Sequence, residues 1–507
     1  MKNKYFILGL LIAAFSACTT EDLNLTPEGK ELDVTYYKTE SQLQEAILAA
    51  YDPLQDIIWG GNYFMYGSIA SDDAIGGGAD ATDQKSYQLA DRFILEAYED
   101  KEDNMFQFYR SRFRMVYRSN LIIENADGAS EFGKKAIAHA NFIKGLAYFQ
   151  LTTLFGGMPI IDVVANPEDK FPRATQADTW AAIEGYLQNA ITGLPARSGG
   201  IDPDGLATKG SAQGLLGKVY MYQGKYTEAI EILEQVASNP EYSLEPNYAD
   251  VFWPATKHGR ESLFEINYTA TDPGAAWDQY NNGTAVFTLC GIRTGEVGMG
   301  TPETVSFLWG WGMNQPTPKL AKAFDDMGDL IRKNNSIISC DSVLMVSPTT
   351  AFQNSITGYW DIKHVRRRGF FRSSTQVNAP ILLLRLSDVY LLLAEAYANK
   401  SDETNALKYL NLVRKRAGLA DATGGSDLLT KIKKERQLEL CLEGDRYFDL
   451  VRWGDAPTEL TGEEYDAGGK NYTTGKPGVS TNGLFPIPQD EMNQIGNDPN
   501  FPQNPGY

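Results

Sequence analysis

The sequence predicts a mainly α-helical fold: a tetratricopeptide-like scaffold of paired helices carrying an irregular, loop-rich lobe with short strands. Three observations lead there. One helix-pair pattern occurs twice, 177 positions apart. Between the copies the chain changes character and becomes rich in Gly, Pro, Asn and Thr. After the second copy comes a ladder of alternating charges framed by apolar residues.

In chain order, Leu43, Ala46, Ile47, Ala50 and Leu54 make one apolar face and predict a helix from Ser41 to Gln55. Asp72, Asp73 and the run Gly76-Gly77-Gly78 predict an exposed, flexible loop. That loop lacks the residue order of a phosphate cradle. Helices are expected from about Glu102 to Asn125 and from about Gly133 to Leu154.

The repeat itself follows. Leu216, Gly217, Tyr220, Ala229 and Leu233 in the first copy match Leu393, Ala394, Tyr397, Ala406 and Leu410 in the second. In a tetratricopeptide pair the small residue lets one helix approach the other, and the Tyr and Leu fill the seam. Gln223 to Tyr226 and Asn399 to Asp402 supply the turns. Ala136 to Phe149 with Trp180 to Leu194 has the makings of a third pair broken by a loop. Copies in a continuous solenoid lie about 34 residues apart, so the segment between these two must leave the scaffold and return. That segment, residues 248–377, holds strand-like runs at Ser262–Tyr268 and Thr284–Leu289 and few helical stretches.

The charge ladder is Arg436, Glu439, Glu443, Arg446, Asp449 and Arg452, at steps of three and four. On a helix these share one side. Leu438, Leu442, Tyr447, Phe448, Leu450, Val451 and Trp453 surround them, so the charges are expected to be half-buried and paired with each other. A structural clamp fits better than a solvated face or a catalytic acid/base pair.

The ladder lies within Glu-Arg-x-x-Glu-Leu-x-x-Glu-Gly-x-Arg-x-x-Asp-Leu-x-Arg-Trp-Gly, from Glu435 to Gly454. This resembles the C-terminal signature of the SusD/RagB family, surface lipoproteins that capture nutrients for an outer-membrane transporter. Ala379 to Ala396 is similar to a second SusD-like segment. The resemblance implies a SusD-like helical scaffold with a looped second lobe, no catalysis, and a SusC-like TonB-dependent transporter as partner. It also implies ligand binding on loops, with no binding residues common to all members.

The N-terminus reads as a processing segment. Lys2 and Lys4 precede the apolar run Tyr5 to Ala17, whose 13 residues are too few for a span of about 20. Phe15-Ser-Ala-Cys18 looks like a lipoprotein signal, with Cys18 as the lipidated residue and Phe15 where Leu is commoner. Glu21 and Asp22 resemble a surface-export tag. The expected organisation is therefore a signal peptide (1–17), a tether (18–40), a first scaffold part (41–247), the inserted lobe (248–377), a second scaffold part with the family signature (378–454) and an irregular C-terminal wrap (455–507). The expected location is the outer membrane, lipid-anchored and surface-exposed.

A net charge of −19 argues against nucleic acid or anionic lipid headgroups as partners. His139, His258 and His364 have no metal-ligand spacing, and no metal or other cofactor is expected. Cys290, Cys340 and Cys441 form no motif; a Cys290–Cys340 bridge is permitted but not established.

The aromatic share of 11% points instead to carbohydrate, because flat rings cover the C–H faces of sugars at low entropic cost. The inserted lobe supplies Trp277, Tyr280, Arg293, Trp309 and Trp311, and with Asp72 and Asp73 these are the candidate ligand-binding residues. In Trp309-Gly310-Trp311 the two rings would share a face of an extended strand, and the Gly would let backbone or ligand come close. The leading expectation is a glycan-binding lipoprotein that delivers oligosaccharide to its transporter. The alternatives are a RagB-like peptide binder of the same system, a surface glycosidase and a purely structural adaptor. Reducing ends released from polysaccharides would mark the glycosidase, and no soluble ligand at all the adaptor. No serine, cysteine or metal catalytic motif is present.

Overall fold

The computed structural model describes residues 36–55, 63–79, 83–93, 104–198, 205–268, 284–293, 309–346, 355–365, 379–460, 464–465, 470–471, 483–496 and 498–507. Helix α1 (Glu40–Tyr51) starts at Thr39, whose hydroxyl accepts the Gln42 amide in a reciprocal capping box. A 3-10 turn, Asp52–Gln55, completes the expected helix. Helix α2 (Tyr63–Ile69), strand β1 (Ala74–Gly77) and helix α3 (Lys85–Arg92) follow.

The scaffold proper is α4 (Asn104–Asn125), α5 (Glu131–Phe155), α6 (Gln176–Gly193), α7 (Lys209–Tyr222) and α8 (Tyr226–Ala237). Ser130, Thr175 and Thr208 cap α5, α6 and α7 with side-chain oxygens. Helix pairing depends on glycine in the predicted way. A Cβ on Gly217 would lie 2.2 Å from Leu233 Cδ2, so its absence lets α7 and α8 touch. Gly145 does the same for α5 and α6, where a Cβ would meet Leu187 Cδ2 at 2.8 Å.

The lobe contains β2 (Ser262–Ile266), α9 (Val286–Cys290), β3 (Ile292–Arg293), β4 (Trp309–Gly310), β5 (Met313–Pro316), α10 (Pro318–Met327), α11 (Leu330–Ser336), β6 (Ile337–Ser339), α12 (Cys340–Val346) and β7 (Tyr359–Asp361), and β8 (Ile381–Arg385) opens the second scaffold part. β2 pairs antiparallel with β8, so the chain leaves the scaffold and returns along neighbouring strands. Two expectations are corrected here. Thr284–Leu289 is not a strand: it enters α9, a short helix whose residues are all buried and whose first amide donates to Thr284 Oγ1 at 3.2 Å. The lobe is also more helical than its composition suggested, because Thr317 and Asp329 cap α10 and α11.

The second copy is α13 (Leu386–Asn399) and α14 (Glu403–Arg416). It lies against the first despite the long detour: Glu234 of α8 accepts from Tyr397 and Tyr409, each at 2.7 Å.

The ladder is not one helix. α15 (Leu428–Leu440) and α16 (Arg446–Trp453) are separated by a break with φ of +65° at Leu442 and +92° at Gly444. Gly444 tolerates that backbone because it has no side chain. It also packs on α2: a Cβ at Gly67 would fall 1.9 Å from the Gly444 carbonyl. The break brings Arg436 within 3.0 Å of Asp449, a pair that a continuous helix would hold about 20 Å apart.

The clamp is paired as expected, but more deeply buried, and most partners come from outside the ladder; within it Arg436 and Arg452 share Asp449. Glu439 is fully buried and meets Arg332 at 3.0 Å, Arg385 at 2.5 Å and Arg416. Glu443 meets Arg385 at 2.7 Å and Lys363 at 2.8 Å. Arg436 joins Asp388 at 2.8 Å, and Arg452 joins Glu395 at 2.5 Å. The clamp thereby fastens α15 and α16 to the scaffold through Asp388 and Glu395, and to the lobe through Arg332 and Lys363.

The C-terminal stretch adds α17 (Ala456–Glu459), the two-residue strands β9 (Glu464–Tyr465) and β10 (Lys470–Asn471), and α18 (Gln489–Ile495). It runs back over the end of α5, where the Phe485 amide donates to Leu154 O and Asn504 donates to Phe155 O.

Candidate functional site

β1 and β5 pair antiparallel with Gly77 opposite Met313, and β3 pairs parallel with β4. These short ladders bring residues 74–79, 291–293 and 309–316 to one place, with Asp83 beside them. Glycine makes the approach possible. A Cβ on Gly77 would lie 2.2 Å from the Gly312 carbonyl, and one on Gly310 would lie 2.4 Å from Gly291 Cα. The glycine of Trp309-Gly310-Trp311 therefore admits a neighbouring backbone, not a ligand.

Arg293 and Trp311 do come together. The Arg293 guanidinium donates to the Trp311 carbonyl at 3.0 Å and to Asp83 Oδ2 at 3.0 Å. Asp83 also accepts the Ala79 amide at 2.8 Å. The side chains of Arg293 and Asp83 keep 20% and 24% of their surface exposed, and the Trp311 ring is half-buried against the core. Gln315 is fully buried and braces the strands behind the patch: its amide donates to Gly312 O at 2.9 Å, while its carbonyl accepts the Ile356 amide at 2.9 Å. The arrangement sets a half-buried indole on the residue whose backbone carbonyl holds a partly exposed guanidinium–carboxylate pair. Such a ring covers a C–H face, and such a pair meets hydroxyls at its edge.

Asp72 and Asp73 require a correction. They are neither exposed nor flexible, with 3% and 0% exposure. Arg446 holds Asp72 in a two-pronged pair at 2.7 and 2.9 Å, and Lys319 adds a contact at 3.0 Å. Burial opposes the Asp72 charge, but Arg446 and Lys319 outweigh it and hold the carboxyl at about 2. Asp73 accepts from Gln437 at 2.6 Å, and burial together with the Asp72 charge pushes it up to about 7. Both acids belong to the underside of the clamp, so as ligand contacts they lose their basis. The Gly-rich run after them is a paired strand because Gly312 and Asp83 supply partners that local sequence does not reveal.

Trp277, Tyr280 and Cys18 lie outside the described residues, as does the side chain of Trp309. Cys290, Cys340 and Cys441 are free thiols. Among the described residues no cluster of His, Cys, Asp and Glu could hold a metal ion, and no helix is long and apolar enough to cross a membrane. Sequence reading missed Asp83 and Gln315, which stand beside glycine-rich turns in no motif.

A family model described as "SusD family" matches residues 345–507, and one described as "Starch-binding associating with outer membrane" matches residues 23–221. A tetratricopeptide repeat model matches residues 210–239, which is the α7–α8 pair. Similar proteins include a "SusD-like protein" of Bacteroides ovatus, 25% identical over 89% of this chain and 83% of that one. "SusD-like protein P25" of Formosa agariphila is 23% identical over 90% of each chain. Among solved structures, surface glycan-binding protein A from Bacteroides thetaiotaomicron, in complex with laminarihexaose, superposes with a TM-score of 0.78. It is 27% identical, over 92% of this chain and 99% of that one. The chain belongs to the SusD family. In this SusD-family chain the signature from Glu435 to Gly454 is the α15–α16 clamp. The family's description associates it with the outer membrane.

Proposed function

We propose that this SusD-family chain is a glycan-binding protein that captures oligosaccharide on the Arg293–Trp311 patch and delivers it to a SusC-like TonB-dependent transporter. Cys18 is its lipid anchor, and the body hangs exposed on the outer face of the outer membrane. The observation that carries the reading is the half-buried Trp311 with the partly exposed Arg293–Asp83 pair held to its backbone carbonyl. The likeness to a glycan-binding protein with bound laminarihexaose supports carbohydrate as the ligand class. A further structural neighbour is a laminarin-binding SusD-like protein, 27% identical with a TM-score of 0.78.

The chain is proposed to bind without catalysis. Glycoside hydrolysis needs two carboxylates about 5–9 Å apart, one of them free to give up a proton. Asp83 instead pairs with Arg293 and accepts the Ala79 amide, both through Oδ2. Calorimetry of the chain against laminarihexaose and maltohexaose, with a mixed peptide digest alongside, tests the reading. Saturable heat with either sugar supports it; heat from the peptides alone would replace it with peptide capture. Reducing ends appearing during incubation would overturn the non-catalytic assignment.

A further inference from the structure

A second, separate recess lies in the scaffold among α4, α5 and α6, with a volume of about 560 Å³. That is within the range of small-molecule sites, about 300–1,000 Å³. It is not a plain seam between helices, because residues 156–175, the connection from α5 to α6, cross its edge and contribute Asp162.

Its floor is polar and built. The Lys144 side chain is 2% exposed, and its ammonium donates to Asn120 Oδ1 at 2.7 Å and Asp162 Oδ1 at 2.5 Å. The ammonium also lies 4.6 Å from the centre of the Tyr186 ring. The Tyr186 hydroxyl donates to the same Asp162 oxygen at 2.6 Å. Asp162 Oδ1 is thus doubly engaged, while Oδ2 accepts from no described residue on a side chain 59% exposed. Asn141 is 5% exposed; its Nδ2 donates to Ile137 O at 2.8 Å, and its Oδ1 accepts from no described residue. One wall is apolar, made by Ile123, Ile137 and Ala138, and Asn189 stands at the exposed mouth.

This chemistry selects its ligand. Lys144 cancels the Asp162 charge, so the floor has no surplus negative charge for a cation. The Lys144 donors are directed at Asn120, Asp162 and the Tyr186 ring, so the floor offers no free donors to an anion. On the floor two acceptors remain, Asp162 Oδ2 and Asn141 Oδ1, facing an apolar wall, while the exposed Lys134, Asn189 and Thr192 stand around the recess. Uncharged hydroxyls next to a C–H face satisfy both. We propose that this recess is a second carbohydrate subsite, taking a neutral pyranose unit through Asp162 and Asn141. The choice of sugar as ligand class rests on the glycan-capture reading; the site is independent of the Arg293–Trp311 patch.

The test is ligand-observed NMR and calorimetry with laminarihexaose, glucose and glucuronate on the full chain and three variants. Trp311→Ala disables the patch. Asn141→Leu removes the buried acceptor, and Asn189→Trp plugs the mouth from an exposed position that leaves the core packing alone. The subsite predicts that Trp311→Ala retains a weaker saccharide signal, and that adding Asn189→Trp or Asn141→Leu reduces it at least tenfold. Residual binding unchanged by Asn189→Trp would overturn the subsite, as would its complete loss in Trp311→Ala alone, which leaves the patch reading intact. If Asn189→Trp abolishes binding while Trp311→Ala has no effect, the subsite stands and the patch reading fails. Glucuronate bound more tightly than glucose would overturn the neutral class.

Discussion

Replacing Asp73 by Asn isolates one electrostatic liability in the clamp. Asp73 is fully buried, with one oxygen bonded to Gln437 and the other without a hydrogen-bond partner. Burial first, and the Asp72 charge second, push its pKa from 3.8 up to about 7. The sign follows from linkage: between those values the folded chain keeps a proton that the unfolded chain has released. The stability tied to that proton is complete below about pH 4 and is lost as pH rises through about 7. A gap of roughly three pKa units at about 1.4 kcal/mol each sets a ceiling of about 4 kcal/mol. Relaxation around the coupled acids leaves about 2–4 kcal/mol to be seen. Asn has no proton to lose, and its oxygen can still accept from Gln437. Urea unfolding at pH 5, 6.5 and 8 is the assay. Asp73→Asn is expected to exceed the parent by roughly a third of that amount at pH 5 and by nearly all of it at pH 8, so that the gap widens as pH rises. Glu265 and Asp445, raised to about 7 and about 6, lose stability over the same window in both chains, so the difference between the two is the reading. Asp72 acts with the opposite sign and only as pH falls below about 4, outside the range measured. Parallel pH profiles for parent and variant would refute the reasoning.

Other expectations follow from packing and pairing. Arg385→Met leaves Glu439, Glu443 and Glu261 short of a buried partner and is expected to cost about 3–5 kcal/mol in the same unfolding assay. Gly217→Ala sets a Cβ 2.2 Å from Leu233 and is expected to cost about 1–3 kcal/mol through overpacking, despite better helix propensity. Gly185→Ala is its control: it is on α6 with nothing within 4 Å of its Cβ, so it should gain about 0.5–1 kcal/mol. Equal effects from the two substitutions would rule out the close helix approach as the reason for Gly217.

Much of the scaffold was legible because its determinants are local or periodic. The Leu-Gly-x-x-Tyr pattern carries the helix seam in adjacent turns, and the alternating ladder announces that its charges are paired. What was not legible depended on partners far along the chain. Asp72 and Asp73 sit among turn-forming residues and resemble an exposed loop; Arg446, 374 positions later, and Gln437 make them interior. The break at Gly444 was masked because spacings of three and four are satisfied by one helix. Only contact with Gly67 of α2 reveals that two helices meet there. Thr284–Leu289 has four apolar residues and two Thr in six positions, a composition shared by buried strands and buried helices. Of the candidate site, Arg293 and Trp311 were found through residue type, whereas Asp83 and Gln315 are polar residues that become relevant only by the way β1 meets β5.

The most direct test of glycan capture is titration of laminarihexaose into the parent chain and into Trp311→Ala at one ionic strength. Loss of the indole plane is expected to weaken binding at least tenfold, about 1.4 kcal/mol, with the thermal midpoint lowered by the lost core contact but unfolding still cooperative and well above the titration temperature. Equal affinity in the two chains would contradict the assignment of the sugar to that ring.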